Sequence, residues 1–132
     1  QTKNKNYRPT PHTQDRNLLA KYLSAANVFF YPTKGDTFGL ISAEALSSGT
    51  PVVTYGIDAL PEIVSHKEVG YVAEYENIDD AKNGIAYILN LQKDAYTLMS
   101  TKARERIVNN FSSEKMYGEY LALYKKILEK KN

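Results

Sequence analysis

The sequence predicts an α/β fold: a small parallel sheet of about three strands, flanked by helices on both faces. Three short runs rich in β-branched and aromatic residues mark the strands, at Asn27 to Tyr31, Val52 to Thr54 and Tyr71 to Ala73. Helical patterns separate them, and strands separated by helices pair in parallel through right-handed crossovers. The absence of cysteine removes disulfides and thiolate metal sites as alternative sources of order.

Residues 1–14 read as a polar arm or linker, because Gln1 to Thr13 holds Pro9, Pro11 and hardly an apolar side chain. Asp15 is placed to cap a helix from Arg16 to about Ala25, with Leu18, Leu19, Tyr22 and Leu23 as its buried stripe. The strand at Asn27 ends at Pro32, which donates no ladder hydrogen bond. Thr33 to Thr37 carry loop chemistry. From Phe38 to Ser48 the apolar residues Leu40, Ile41, Ala43, Ala45 and Leu46 predict a buried helix, which Gly49 and Pro51 stop before the β-branched run resumes.

Two acids interrupt this βαβ unit. Glu44 stands among apolar neighbours, so a buried position would demand hydrogen-bond donors or push it towards its neutral form. Asp36 sits in the loop above the strand end, the rim where open parallel sheets bind ligands. The two are expected to flank one crevice. Between them, the backbone amides of Phe38, Gly39 and Leu40 at a helix start suit a phosphate, because the positive end of the dipole lies there.

Beyond Tyr55, Gly56 and Asp58 form a loop, and Pro61 fits the first turn of a short helix through Glu62, Ile63 and Val64. Glu62 is read as part of that turn only. Lys67 to Gly70 is a polar turn before the third strand. Ile78 to Leu91 keeps helical spacing with Asn77 or Asp79 as cap, and a second helix starts near Asp94 with Leu98, Met99, Ala103 and Ile107. Ser112 or Ser113 caps a last helix whose stripe is Tyr117, Tyr120, Leu121, Tyr124, Ile127 and Leu128. All three are expected to pack on the sheet.

The chain has 132 residues, 42% of them hydrophobic, enough for one cored domain. A net charge of +2, with lysines interspersed among acids, argues against a nucleic-acid partner. His12 and His66 read as solvated loop residues without a second ligand at metal spacing, so no metal site is expected. No apolar run approaches the roughly 20 residues of a membrane span. A cytoplasmic location is the expectation, and Lys125, Lys126, Lys130 and Lys131 allow peripheral contact with the inner face of a membrane.

In order along the chain stand LSAANVFFYPT, DTFGLISAEALSSGTPVV, LPEIV, VGYVAE and NNFSSEKMYGEYLALY. With these segments, Asp15 through Tyr124 resembles the C-terminal half of a two-Rossmann-domain (GT-B) retaining glycosyltransferase of the glycosyl transferases group 1 family. Residues 15–132 would then be an incomplete C-terminal Rossmann-like domain that binds a nucleoside-diphosphate sugar as co-substrate, with no cofactor. The resemblance implies that Glu44 binds the ribose hydroxyls, that Asp36 and Thr37 face the donor sugar, and that the amides of Phe38, Gly39 and Leu40 meet the diphosphate. The family has glutamate where Asp36 stands, one methylene longer. Its donor domain also begins with strands bearing an arginine and a lysine, and is preceded by an acceptor domain; neither precedes Asp15. The implied function is the donor half of a hexosyltransferase acting with retention, inactive as an isolated chain. The alternative is a nucleotide-sugar-binding or partner-docking module without turnover.

Overall fold

The computed structural model describes residues 6–130. Residues 6–14 form no helix or strand, and the expectation for residues 1–5 lies outside the described residues. Helix α1 (Arg16–Ala25) begins where Asp15 accepts hydrogen bonds from the Asn17 and Leu18 amides at 2.9 and 3.2 Å. Of its expected stripe, Leu23 is buried, while Leu18 and Leu19 are half-buried and Tyr22 is exposed. Strand β1 (Phe29–Tyr31) is shorter than the expected run from Asn27.

Three strands form one parallel sheet in the order β1, β2 (Val52–Tyr55), β3 (Gly70–Ala73). Phe29 aligns with Val52 and Val52 with Gly70. As the central strand, β2 is buried along its whole length. Its side chains alternate between faces. Val52 joins a cluster with Leu46, Ile63, Val64 and Ala103, supplied by helices α2 (Leu40–Ser47), α3 (Leu60–Val64) and α5 (Lys93–Asn110). On the other face Val53 packs with Ile88 and Met99, and Tyr55 with Ala73 and Ala81, so α4 (Ile78–Leu89) covers that side.

Helices α4 and α6 also depart from the sequence reading. In α4 the buried residues are Ala81, Gly84 and Ile88, while Ile78 and Leu89 at its two ends are exposed, beyond the reach of strands only four residues long. Helix α6 (Ser113–Glu129), capped by Ser112, has no buried residue and does not pack on the sheet. The other helices already cover both faces of so narrow a sheet.

Helix α2 is pinned at its C-terminal end. The Ser100 hydroxyl donates to the Gly49 carbonyl at 2.6 Å and the Arg104 guanidinium to the Ser47 carbonyl at 2.6 Å. These donors satisfy carbonyls that a helix end leaves unpaired, and the arginine complements the dipole. Buried Thr50 donates to the Leu23 carbonyl at 2.6 Å, fastening the strand entry to α1. No helix among the described residues is long and apolar enough to cross a membrane.

At Gly70 a Cβ would land on the Val52 carbonyl oxygen and within 2.8 Å of the Val64 side chain. Because a backbone oxygen cannot rotate away, Gly70→Ala is expected to cost at least about 2 kcal/mol by forcing β3 from β2. Urea unfolding followed by circular dichroism measures this, and an unchanged midpoint would show that the strands can part freely.

Candidate functional site

The candidate site lies where the loops after β1 and β2 meet the start of α2, at the C-terminal edge of the sheet. After Pro32, Thr33 closes a tight turn, its hydroxyl within 2.8 Å of the Gly35 carbonyl and accepting from the Gly35 amide at 3.2 Å. Asp36 follows. Its Oδ1 accepts from the Phe38 amide at 3.1 Å and the Gly39 amide at 2.7 Å, and its Oδ2 accepts from the Tyr31 hydroxyl at 2.9 Å. The Asp36 amide in turn donates to Asp58 Oδ2 at 3.0 Å. Gly35, Asp36, Thr37, Asp58 and Ala59 line one open concavity.

Gly39 determines how α2 begins. It holds φ at +83°, which breaks the helix between Phe38 and Leu40 and shortens the expected start. A side chain there would also meet Leu60 Cδ2 at 2.5 Å, so backbone conformation and contact with α3 both require glycine. The turn directs the Phe38 and Gly39 amides at Asp36. The Leu40 amide has no hydrogen-bond partner among the described residues, as expected for the first residue of a helix. One turn inward, Ser42 is fully buried and its hydroxyl has no partner among the described residues.

Glu44 is exposed, which corrects the expectation of a buried carboxylate in need of donors. Buried residues 42, 43, 45 and 46 face the core, whereas Glu44, Ser47 and Ser48 follow one another at helical spacing on the outward side. Its carboxylate has no hydrogen-bond partner among the described residues. It opens on a different concavity from that of Asp36, shared with Arg16, Leu19, Ala20 and Ser48. The structure therefore brings Asp36 and Thr37 together with Asp58 in one concavity, while Glu44 opens on another. Two participants escaped the sequence reading, Tyr31 and Asp58. Both sit at the C-terminal ends of strands or in the loop just beyond, and that position was the available signal. Lys34 is engaged elsewhere, in an exposed ion pair with Glu76.

The hydrogen bonds set the charge state. The Gly39 amide above all, then the Tyr31 hydroxyl and the Phe38 amide, hold the Asp36 carboxyl below its ordinary value of 3.8. Its bond to Asp36 raises the Tyr31 hydroxyl, because the phenol must stay protonated to donate. No three His, Cys, Asp or Glu side chains gather as a metal site among the described residues.

This geometry defines an α/β unit whose polar loops collect at one edge of a parallel sheet, around a helix start. The chain belongs to the glycosyl transferases group 1 family, whose pattern it matches over residues 4–130. It is 27% identical to N-acetyl-alpha-D-glucosaminyl L-malate synthase of Bacillus anthracis over 126 residues, 89% of this chain and 32% of that protein. Among solved structures it superposes on sucrose-phosphate synthase from Thermosynechococcus elongatus with a TM-score of 0.74 and 29% identity, covering 85% of this chain and 28% of that one. A mutant of S. aureus TarM, solved with Fondaparinux, alpha-GlcNAc-glycerol and UDP, gives a TM-score of 0.71 at 26% identity, over 80% of this chain and 22% of TarM. The fold is the Rossmann-like one of GT-B glycosyltransferases, and the chain spans less than a third of the length of these relatives.

A carboxyl whose native value is depressed stabilises the fold above its unfolded value, and loses that contribution as pH falls through the native one. The Asp36 cap should therefore be intact at neutral pH and open only in acid below 3.8. A carbon-13 NMR titration of Asp36 should show a midpoint below the ordinary value, and Tyr31→Phe should move it upward. No movement would show that the Tyr31 bond does not form in solution.

Proposed function

We propose that this chain is the donor-binding half of a hexosyltransferase that moves a hexose from a nucleoside-diphosphate sugar to an acceptor, with retention. The observation that carries the reading is the concavity of Asp36, Thr37 and Asp58 placed directly before the first amides of α2. A helix start favours phosphate, and hydroxyl and carboxylate groups beside it favour a sugar. Binding of UDP by a TarM mutant of the same fold supports it.

In this reading the Leu40 amide is the first donor to the diphosphate. The Phe38 and Gly39 amides reach it when Asp36 turns from its cap to the sugar hydroxyls, so one side-chain rotation releases two donors and supplies an acceptor. Exposed Glu44 has both carboxylate oxygens open to a vicinal diol, which suits the ribose. The bond from the anomeric carbon to the phosphate oxygen breaks, the acceptor oxygen bonds on the same face, and the departing phosphate takes the acceptor proton. Catalysis is then positioning and electrostatics.

In this reading an acceptor domain and strands with further diphosphate contacts lie in the rest of a longer polypeptide, since the chain spans less than a third of the length of its relatives. That shortfall favours a second statement: residues 15–132 are an incomplete donor-binding domain, and the isolated chain binds without turnover. The alternative, a binding or docking module with no transferase to complete, shares its nucleotide affinity and differs in the activity of the longer polypeptide.

By isothermal calorimetry, Glu44→Gln is expected to weaken nucleoside-diphosphate binding about tenfold, near 1.4 kcal/mol. Unchanged affinity would reject the ribose role. Sugar transfer by the 132-residue chain alone would reject the half-enzyme reading.

A further inference from the structure

Two acids at the C-terminal edge of the sheet are held in a backbone conformation that glycine adopts freely. Asp58, in the loop after β2, has φ at +51°, and Glu76, in the loop after β3, has φ at +58°. A side chain in the left-handed region crowds the backbone, so a residue other than glycine kept there points to a task beyond folding. Each of these side chains reaches back to the loop after β1. Asp58 Oδ2 accepts from the Asp36 amide at 3.0 Å, and Glu76 pairs with Lys34. The loop of residues 33–37 is thus gripped from two sides.

The grip sorts the charges. Asp36, Thr37 and Asp58 line the concavity with Gly35 and Ala59, so its lining holds two carboxylates and no cation. Lys34, the cation of the same loop, is held by Glu76 from the loop after β3. Both Asp36 oxygens are engaged, whereas the Thr37 hydroxyl and Asp58 Oδ1 have no hydrogen-bond partner among the described residues. Asp58 is the second residue of a turn closed by the Leu60 amide on the Ile57 carbonyl at 3.1 Å. With φ at +51° that position would be relaxed as glycine, and the carboxylate is what glycine would remove.

We propose that Asp58 is a specificity-determining residue of the donor-sugar subsite: together with Asp36 it selects an uncharged hexose and rejects a hexuronate. The proposal rests on the donor-site reading. A sugar hydroxyl donates to the open Asp58 oxygen, and a hydrogen bond to a carboxylate is stronger than one between neutral groups. The carboxylate of a uronate has no proton to give. It would also stand beside two groups of its own sign, in a lining without a cation to offset them. Glu76 adds to the selection, because its pairing withholds Lys34 from an anionic sugar.

Isothermal calorimetry on the 132-residue chain tests this with UDP, UDP-glucose and UDP-glucuronate, and with GDP, GDP-mannose and GDP-mannuronate. For the nucleotide that binds, the hexose form should be held at least about tenfold more tightly than the uronate. Asp58→Asn tolerates the left-handed backbone, keeps an acceptor for the Asp36 amide and removes the charge, so it should narrow that ratio at least about threefold. Glu76→Gln should narrow it too, by freeing Lys34. Asp58→Gly relieves the backbone and should unfold at an equal or higher urea concentration, yet bind the hexose form at least about threefold more weakly relative to the bare diphosphate. Equal affinity for hexose and uronate overturns the proposal, as does a ratio that Asp58→Asn leaves unchanged. So does an Asp58→Gly chain that is less stable and binds the hexose form as before, because Asp58 would then serve the fold alone. Failure of both UDP and GDP to bind is a different result, which overturns the donor-site reading and the proposal with it.

Discussion

The carboxylate of Asp36 holds the candidate site in its shape. Through Tyr31 it is tied to the end of β1, and through the Phe38 and Gly39 amides to the start of α2. Its own amide reaches the second loop at Asp58. Three segments that share no ladder hydrogen bonds are thereby joined at one residue. The same contacts keep Asp36 ionised, and an ionised cap is the stronger one at the positive end of a helix.

A cap of this kind needs a rigid partner, which the rest of the fold supplies. The central strand is buried throughout, and α2 lies on it with its C-terminal carbonyls held by Ser100 and Arg104 from α5. With its far end fixed, α2 presents its first amides from a stationary platform. Gly39 completes the arrangement, since its left-handed conformation turns two amides towards the loop while the absent side chain lets α3 approach. A ligand would meet a site organised before it arrives, and would exchange with Asp36 for those amides rather than order the loop itself.

The same narrow sheet that positions the site leaves apolar surface uncovered elsewhere. Four-residue strands offer too little surface for six helices, so the ends of α4 and the whole of α6 face solvent. The exposed stripe begins beside Phe38, within one residue of the amides that Asp36 caps. Candidate site and apolar surface are therefore adjacent consequences of one loop, linked by the pair Phe38 and Phe111.

What could be read from the sequence was local. Asp15 caps the helix expected of it, and of the alternatives Asn77 rather than Asp79 and Ser112 rather than Ser113 cap theirs, because a cap bonds amides two or three residues away. The parallel order of three strands also followed, since helices between strands leave little other choice. Tertiary structure decided the rest. Glu44 looked buried when its apolar neighbours were counted, and only the orientation of α2 against its neighbours put it outside, with Ser47 and Ser48 half-buried beside it. The α6 stripe announced a face to be covered, but amphipathicity cannot say what covers it. Asp58 lies 22 residues from Asp36 and meets it only once β1 and β2 pair. Sequence determined which residues begin and end each element, because those rules act over one helical turn; the fold decided which carboxylates meet, because that depends on contacts far apart in the chain.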